Sequence, residues 1–177
     1  ILTSRRGLEA PGAEELVEEL EGLGAQRVSV TACDVSDRRS ISAVLESVEP
    51  EHPLTGVFHL AGVLDDGVLT GLTGERLDRV FSPKVDGAWH LHELTQEMDL
   101  SAFVLFSSVS GVMGSPGQGN YAAANSFLDA LAAYRQRKGL AGKSLAWGLW
   151  AQQGFGMTSD LGEADLVRMK RGGLIQM

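Results

Sequence analysis

The chain has 177 residues, 44% hydrophobic and 21% charged, which is ordinary for one globular domain able to bury a core. A formal charge of -8 opposes nonspecific binding to nucleic acid, since a phosphate backbone is repelled by an acidic surface. The single cysteine, Cys33, excludes an internal disulfide, and the apolar runs are too short to span a bilayer, so a soluble cytoplasmic protein without membrane or nucleic-acid partners is expected.

The pattern then alternates strand and helix. Residues 1–3 read as the end of a strand running into the turn Ser4-Arg5-Arg6-Gly7. Leu16, Val17, Leu20 and Leu23 recur at helical spacing within 13–23, and Gly24 follows as a stop. Residues 27–33 alternate like a strand, 38–48 form a helix with Ile41, Val44, Leu45 and Val48 on one face, and 54–60 form a short apolar strand. Residues 74–96 are helical, with Pro83 predicting a kink or break. Residues 101–106 make a strand covered on both faces, 120–137 an alanine-rich helix, and 144–147 a last short strand. The tail, 151–177, is punctuated by glycine and holds one helical candidate at 163–171.

Short apolar strands separated by helices of this length imply βαβ units: a Rossmann-like, doubly wound parallel sheet in three α/β/α layers, with ligands beyond the carboxyl ends of the strands. The chain opens inside a strand, with no glycine-rich loop before it. The expectation is that a first βα unit is missing here, and that a cofactor pyrophosphate would need it.

The strongest constellation runs from Ser107 to Asn125: Ser107-Ser108, then Gly111, Gly114, Gly117 and Gln118, then Tyr121 and Asn125. Ser108 ends a buried strand and Tyr121 opens the next helix, so both side chains can reach one carbonyl oxygen. The alternative is that Ser108 caps a turn and Tyr121 packs on its helix. Two arginines in Ser4-Arg5-Arg6 cannot accept a hydrogen bond from a ribose hydroxyl but suit a 2′-phosphate; a plain surface turn is the alternative. In Cys33-Asp34-Val35, Asp34 can accept from an adenine amino group, or Asp34 or Ser36 can cap the following helix. In His59-Leu60-Ala61-Gly62, Ala61 and Gly62 are small enough for close approach, and His59 reads as a packed histidine. Trp89 reads as core, and neither His90 nor His92 as a ligand.

Taken with these residues, the chain resembles the ketoreductase domains of modular polyketide synthases and, more distantly, the short-chain dehydrogenase/reductase superfamily. The Ser108–Tyr121 spacing matches the family's catalytic pair. A lysine four residues after the tyrosine is usual in the superfamily. Asn125 stands there instead, and Lys84, in Ser82-Pro83-Lys84-Val85-Asp86-Gly87, matches the upstream lysine of synthase ketoreductases. The resemblance implies NADPH-dependent reduction of a β-ketoacyl thioester carried by the phosphopantetheine arm of an acyl carrier protein. Tyr121 is then the proton donor, Ser108 holds the carbonyl, and Lys84 lowers the pKa of the phenol. Asn125 orients Lys84 or a water. Ser4, Arg5, Arg6, Asp34, Val35, Ala61 and Gly62, with Lys84 and Tyr121, face the cofactor.

The same resemblance extends to stereocontrol. Leu64-Asp65-Asp66 matches the motif of B-type ketoreductases, which give the D (3R) hydroxyl. Met113 occupies the position where A-type members carry tryptophan, and Pro116 is found in members that reduce epimerised α-methyl substrates. Trp147-Gly148-Leu149-Trp150 falls near the nicotinamide, with residues 1–150 the core and 151–177 the lid region. Other synthase domains, including the earlier part of the ketoreductase, are expected partners. A noncatalytic domain of the same fold and a small-molecule carbonyl reductase are the competing readings.

Overall fold

The computed structural model describes residues 1–149 and Val167. Val167 is helical, as read for 163–171. The other residues of that helical candidate, Trp150 and, apart from Val167, the lid region at 151–177 lie outside the described residues.

The chain begins with strand β1 (Leu2–Ser4), a 3-10 turn (Gly7–Glu9) and helix α1 (Ala13–Gly22). Strand β2 (Val30–Ala32), helix α2 (Arg38–Glu46) and strand β3 (Gly56–His59) follow. A loop with a 3-10 turn (Leu69–Gly71) leads to α3 (Gly74–Phe81). A π-helical turn (Ser82–Asp86) joins α3 to α4 (Gly87–Thr95). The second half holds β4 (Ala102–Ser108), α5 (Ser110–Met113), α6 (Gly119–Arg137) and β5 (Lys143–Trp147).

Local chemistry accounts for several boundaries. The carboxylate of Asp37 accepts from the Arg39 amide and caps α2. The capping expected of Asp34 or Ser36 thus falls to Asp37, because Asp34 spends one oxygen on Ser36 in its own turn. Thr73 caps α3 through the Arg76 amide. Pro83 has no amide hydrogen, so the α-helical ladder cannot pass through it unbroken. The chain adds a residue to the turn, and α3 continues into α4 through the π-helical segment rather than stopping.

All strand pairs are parallel, as expected for an α/β protein of Rossmann type. The ladder is in two parts among the described residues: β1 with β2, and β3–β4–β5 with β4 in the middle. The Rossmann-like α/β architecture read from the sequence is present, with β1 and β3 unpaired among the described residues. A cavity of about 1000 Å³, lined by residues of both strands, lies between the ladders.

The core sits on one face of the second ladder. Phe103 and Leu105 point from β4 onto Ala88 of α4 and Leu128, Leu131 and Ala132 of α6. Full burial of each large side chain there stabilises the fold by about 1.5–3 kcal/mol. The other face of β4, with Val104, Phe106 and Ser108, is only half-buried, so the strand alternates rather than being covered on both sides. Arg135 is buried beside this core. Its guanidinium lies 3.8 Å from the Phe103 ring centroid, meets His92 Nδ1 at 2.9 Å and donates from Nε to the Ala141 carbonyl at 2.6 Å. His92 is the buried aromatic of α4, stacked edgewise against Trp89 and Tyr134. Trp89, expected in the core, is 38% exposed, since it lies on the outer side of that stack.

Candidate active site

Three elements bring the polar residues together. β4 ends at Ser108, α6 carries Tyr121 and Asn125 in its first two turns, and the π-helical turn carries Lys84. The extra residue in that turn matters for Lys84. It is almost fully buried, and its ammonium donates to the Phe106 carbonyl of β4 at 2.9 Å and lies 5.3 Å from the centroid of the Tyr121 ring. Gly62 makes room for it: a Cβ at that position would come within 2.9 Å of Lys84 Cε. Burial pushes the Lys84 pKa down to about 8, against an opposing pull from Asp129.

Tyr121 packs with Val80 and Ala124, and its ring is flanked by Val63, Leu64, Phe81 and Val85. Its phenol feels hydrogen bonding from the side chains of Asn125 and Ser108, which favours the phenolate. Burial outweighs that effect and raises the pKa above the ordinary tyrosine value. The lowering expected from Lys84 is therefore not the net result here.

Ser108 Oγ accepts from the amide and hydroxyl of Ser110 at 3.2 and 3.0 Å, so its own hydrogen remains available to donate. It shapes the strand-to-helix turn and faces Tyr121 as well; the two readings of Ser108 are compatible. Asn125 is fully buried. Its Nδ2 donates to the Tyr121 carbonyl at 2.8 Å, and its Oδ1 has no hydrogen-bond partner among the described residues. An orphaned buried acceptor at this position can receive a proton donor from outside the chain.

The cavity between the ladders gathers most of the residues read as cofactor-facing. Ser4, Arg5, Asp34, Val35, Ala61 and Gly62 all line it, together with His59. Arg6 is exposed in the same turn, outside the lining. Ser4 Oγ donates to the Gly7 carbonyl at 3.2 Å, which closes the turn that presents both arginines. The Asp34 carboxyl is held below the usual carboxylate range, chiefly by the two hydrogen bonds from Ser36, with the Arg5 charge adding to them. Gly62 belongs to both regions, since it lines the cavity and touches Lys84. His59 is buried, with an unpartnered Nε2, and burial pushes its pKa down to about 4.

The residues read as stereocontrolling separate into three groups. Leu64 joins the apolar surround of Tyr121. Asp65 and Asp66 are engaged internally: the Asp65 carboxylate pairs with Arg76 at 2.7 Å and Arg79 at 3.1 Å, and Asp66 Oδ2 accepts from Gln118 Nε2 at 2.9 Å. Met113 and Pro116 are exposed beyond β4. Arg76 and Asn120 were not legible as site residues. Nothing in their local pattern marks them, and only the pairing of Asp65 with a helix 11 residues downstream reveals them.

Comparison with known proteins bears on the family and the fold. The family model of the KR domain matches residues 1–152. A polyketide synthase of Streptomyces halstedii, GfsA, is 61% identical over 99% of this chain, which spans 2% of that relative's length. A solved structure described as an A-type ketoreductase from a modular polyketide synthase is 49% identical with a TM-score of 0.91; it is matched over 99% of this chain and 36% of its own length. The first ketoreductase of the tylosin synthase gives 48% identity and a TM-score of 0.85, again over 99% of this chain and 37% of its own length. With a fold of the short-chain dehydrogenase/reductase type and this degree of likeness, the chain belongs to the ketoreductase domains of modular polyketide synthases.

Proposed function

We propose that the cluster of Lys84, Ser108, Tyr121 and Asn125 reduces a β-ketoacyl thioester, presented by an acyl carrier protein, to the β-hydroxyacyl thioester with NADPH. The observation that carries this reading is the convergence of the Tyr121 phenol with the Ser108 and Asn125 side chains, with the Lys84 ammonium beside the ring.

The donor set of the cavity fits a nicotinamide dinucleotide phosphate. Arg5 offers a guanidinium to a 2′-phosphate, with the exposed Arg6 beside it in the same turn but outside the lining; Asp34 offers an acceptor to the adenine, and Ala61 and Gly62 let the ligand lie close to backbone. The bound cofactor supplies a hydride to the ketone carbon.

The chain's own residues handle the oxygen. Ser108 donates a hydrogen bond to the carbonyl and stabilises the negative charge that grows there. Tyr121 delivers its proton to that oxygen, which completes the alcohol. A neutral phenol at assay pH suits this role, and the raised pKa keeps it protonated. Lys84, with a pKa of about 8, can pass a proton back to the phenolate near neutrality. The free Oδ1 of Asn125 accepts from a proton carrier on that return path. Leu64-Asp65-Asp66 and the absence of tryptophan at Met113 support the 3R configuration.

The test is turnover of the native protein with a β-ketoacyl thioester mimic. The expected outcome is oxidation of NADPH in preference to NADH, and a 3R hydroxyl by chiral chromatography. No reduction with either cofactor would overturn the reading in favour of a noncatalytic domain, and a 3S product would overturn the stereochemical part alone.

A further inference from the structure

The loop after β3 is tied to the helix that carries Tyr121 by contacts that the proposed chemistry does not use. Arg76, on α3, lies at the centre. Its guanidinium binds the Asp65 carboxylate through Nε at 2.7 Å and also donates to the carbonyls of Asp66 at 2.5 Å and Gly71 at 3.2 Å. With a weaker bond to the Asp65 carbonyl at 3.4 Å, one side chain thus gathers a carboxylate and three backbone carbonyls of the same loop. Gly67 is required for this arrangement, because a Cβ there would meet Arg76 Nη1 at 2.6 Å.

Asn120 forms the second half. It is fully buried, directly before Tyr121. Its Nδ2 donates to the Asp65 carbonyl at 2.9 Å and, more weakly, to the Arg76 carbonyl at 3.4 Å. Its Oδ1 accepts from the Tyr121 amide at 2.9 Å. That amide is one of the donors that the first turn of a helix leaves unpaired. The Gly67 amide also donates to the Gly117 carbonyl at 2.7 Å, and Gln118 holds Asp66. The approach to α6 and its first turn are therefore tied to the loop at Gly117, Gln118 and Asn120.

We infer that Arg76 and Asn120, joined through Asp65, are positioning residues that set where the Tyr121 phenol stands. Asp65 acts as the anchor of this bracket: its Oδ1 is held by Arg76, its Oδ2 lies 3.1 Å from the exposed Arg79 without a hydrogen bond, and its side chain is only 12% exposed. Lysine cannot replace Arg76, since a single ammonium cannot reach the carboxylate and the carbonyls from one plane. The inference rests on the reading of Tyr121 as proton donor.

The experiment is a double-mutant cycle on the native protein, with Arg76→Lys and Asn120→Ala each made alone and with Tyr121→Phe. The Arg76→Lys variant keeps the positive charge beside Asp65 and serves if Asn120→Ala fails to fold. Each single substitution is expected to lower kcat by roughly tenfold to a hundredfold, the scale for a displaced catalytic group, with KM for the thioester little changed. In the Tyr121→Phe background the same substitutions are expected to cost nothing more, because the group they position is gone. An equal further loss in that background would overturn the bracket and leave Arg76 and Asn120 as general supports of the fold. Undiminished kcat in Arg76→Lys would overturn it as well. Failure of the underlying reading is separately visible, as an undiminished rate in Tyr121→Phe alone.

Discussion

The buried cluster around Tyr121 and the cavity between the ladders are built differently. Lys84, Asn120 and Asn125 are almost fully inaccessible, and each is held by bonds to backbone or to its neighbours. The cavity is bounded by exposed groups: Arg5 and Asp34 at its polar end, and Phe58 and Leu60, 62% and 56% exposed, near β3. Under the proposed function the difference would divide two tasks. Proton transfer demands fixed geometry, which the buried cluster offers at the cost of burying a cation. A charged dinucleotide demands guanidinium and carboxylate groups that solvent can reach until the ligand replaces it, which Arg5 and Asp34 offer.

The largest expected effect that sharpens this contrast comes from Lys84→Met. kcat should fall by at least about a hundredfold, while the melting temperature at pH 7 stays level or rises. Burial lowers the pKa of Lys84 to about 8 in the folded state, against an ordinary 10.5. Below pH 8 both states are protonated and the cost of burying the cation is fully present. Between pH 8 and 10.5 the unfolded chain holds the proton longer, so stability rises with pH by about 3 kcal/mol. Wild type should show that rise in urea denaturation and the Met variant should lack it. A falling melting temperature with unchanged kcat would reverse the assignment of Lys84 from chemistry to structure.

His59 gives the next effect, on stability alone. Its pKa is pushed down to about 4, first by burial and then by the Lys84 charge. The unfolded chain takes up a proton near pH 6.5 and the folded one does not, so stability is present above that pH and is lost on the way down to 4. Between pH 7 and 5 wild type should lose about 2 kcal/mol relative to His59→Gln. Parallel denaturation midpoints for the two proteins would contradict the buried neutral histidine.

The smallest effect belongs to the cavity. Replacing Arg5 and Arg6 together by alanine should raise the KM for NADPH about tenfold, the loss of roughly one charge-assisted contact, and leave the KM for NADH and the melting temperature unchanged. An equal rise for both cofactors would break the match between these guanidiniums and a 2′-phosphate.

Elements of α/β character were legible because their signals are local. The helix read at 13–23 is α1 at Ala13–Gly22, the one read at 120–137 is α6 at Gly119–Arg137, and the strand read at 54–60 contains β3. Ser108, Tyr121, Asn125 and Lys84 were singled out from spacing and resemblance, and the fold brings them together. What stayed hidden depends on contacts distant in sequence. Pro83 signalled a break, but not that the chain passes it as a π-helical turn with the buried Lys84 ammonium donating to the Phe106 carbonyl of β4. Leu64-Asp65-Asp66 was read as a stereocontrol motif, and the ion pairs of the Asp65 carboxylate with Arg76 and Arg79 were not foreseen. The raised pKa of Tyr121 reflects burial by Val80, Ala124 and their neighbours, which periodicity cannot sum. The separation of the strands into two ladders is likewise a matter of which edges meet.

The most direct measurement is the single-turnover rate of Tyr121→Phe against wild type, with cofactor and β-ketoacyl thioester saturating. The phenyl ring keeps the packing against Val80 and Ala124 and removes only the hydroxyl. A drop of at least about a hundredfold with cofactor affinity retained is the outcome expected of a positioned proton donor. A rate equal to wild type would show that the proton comes from elsewhere, and the convergence at the end of β4 would have no catalytic meaning.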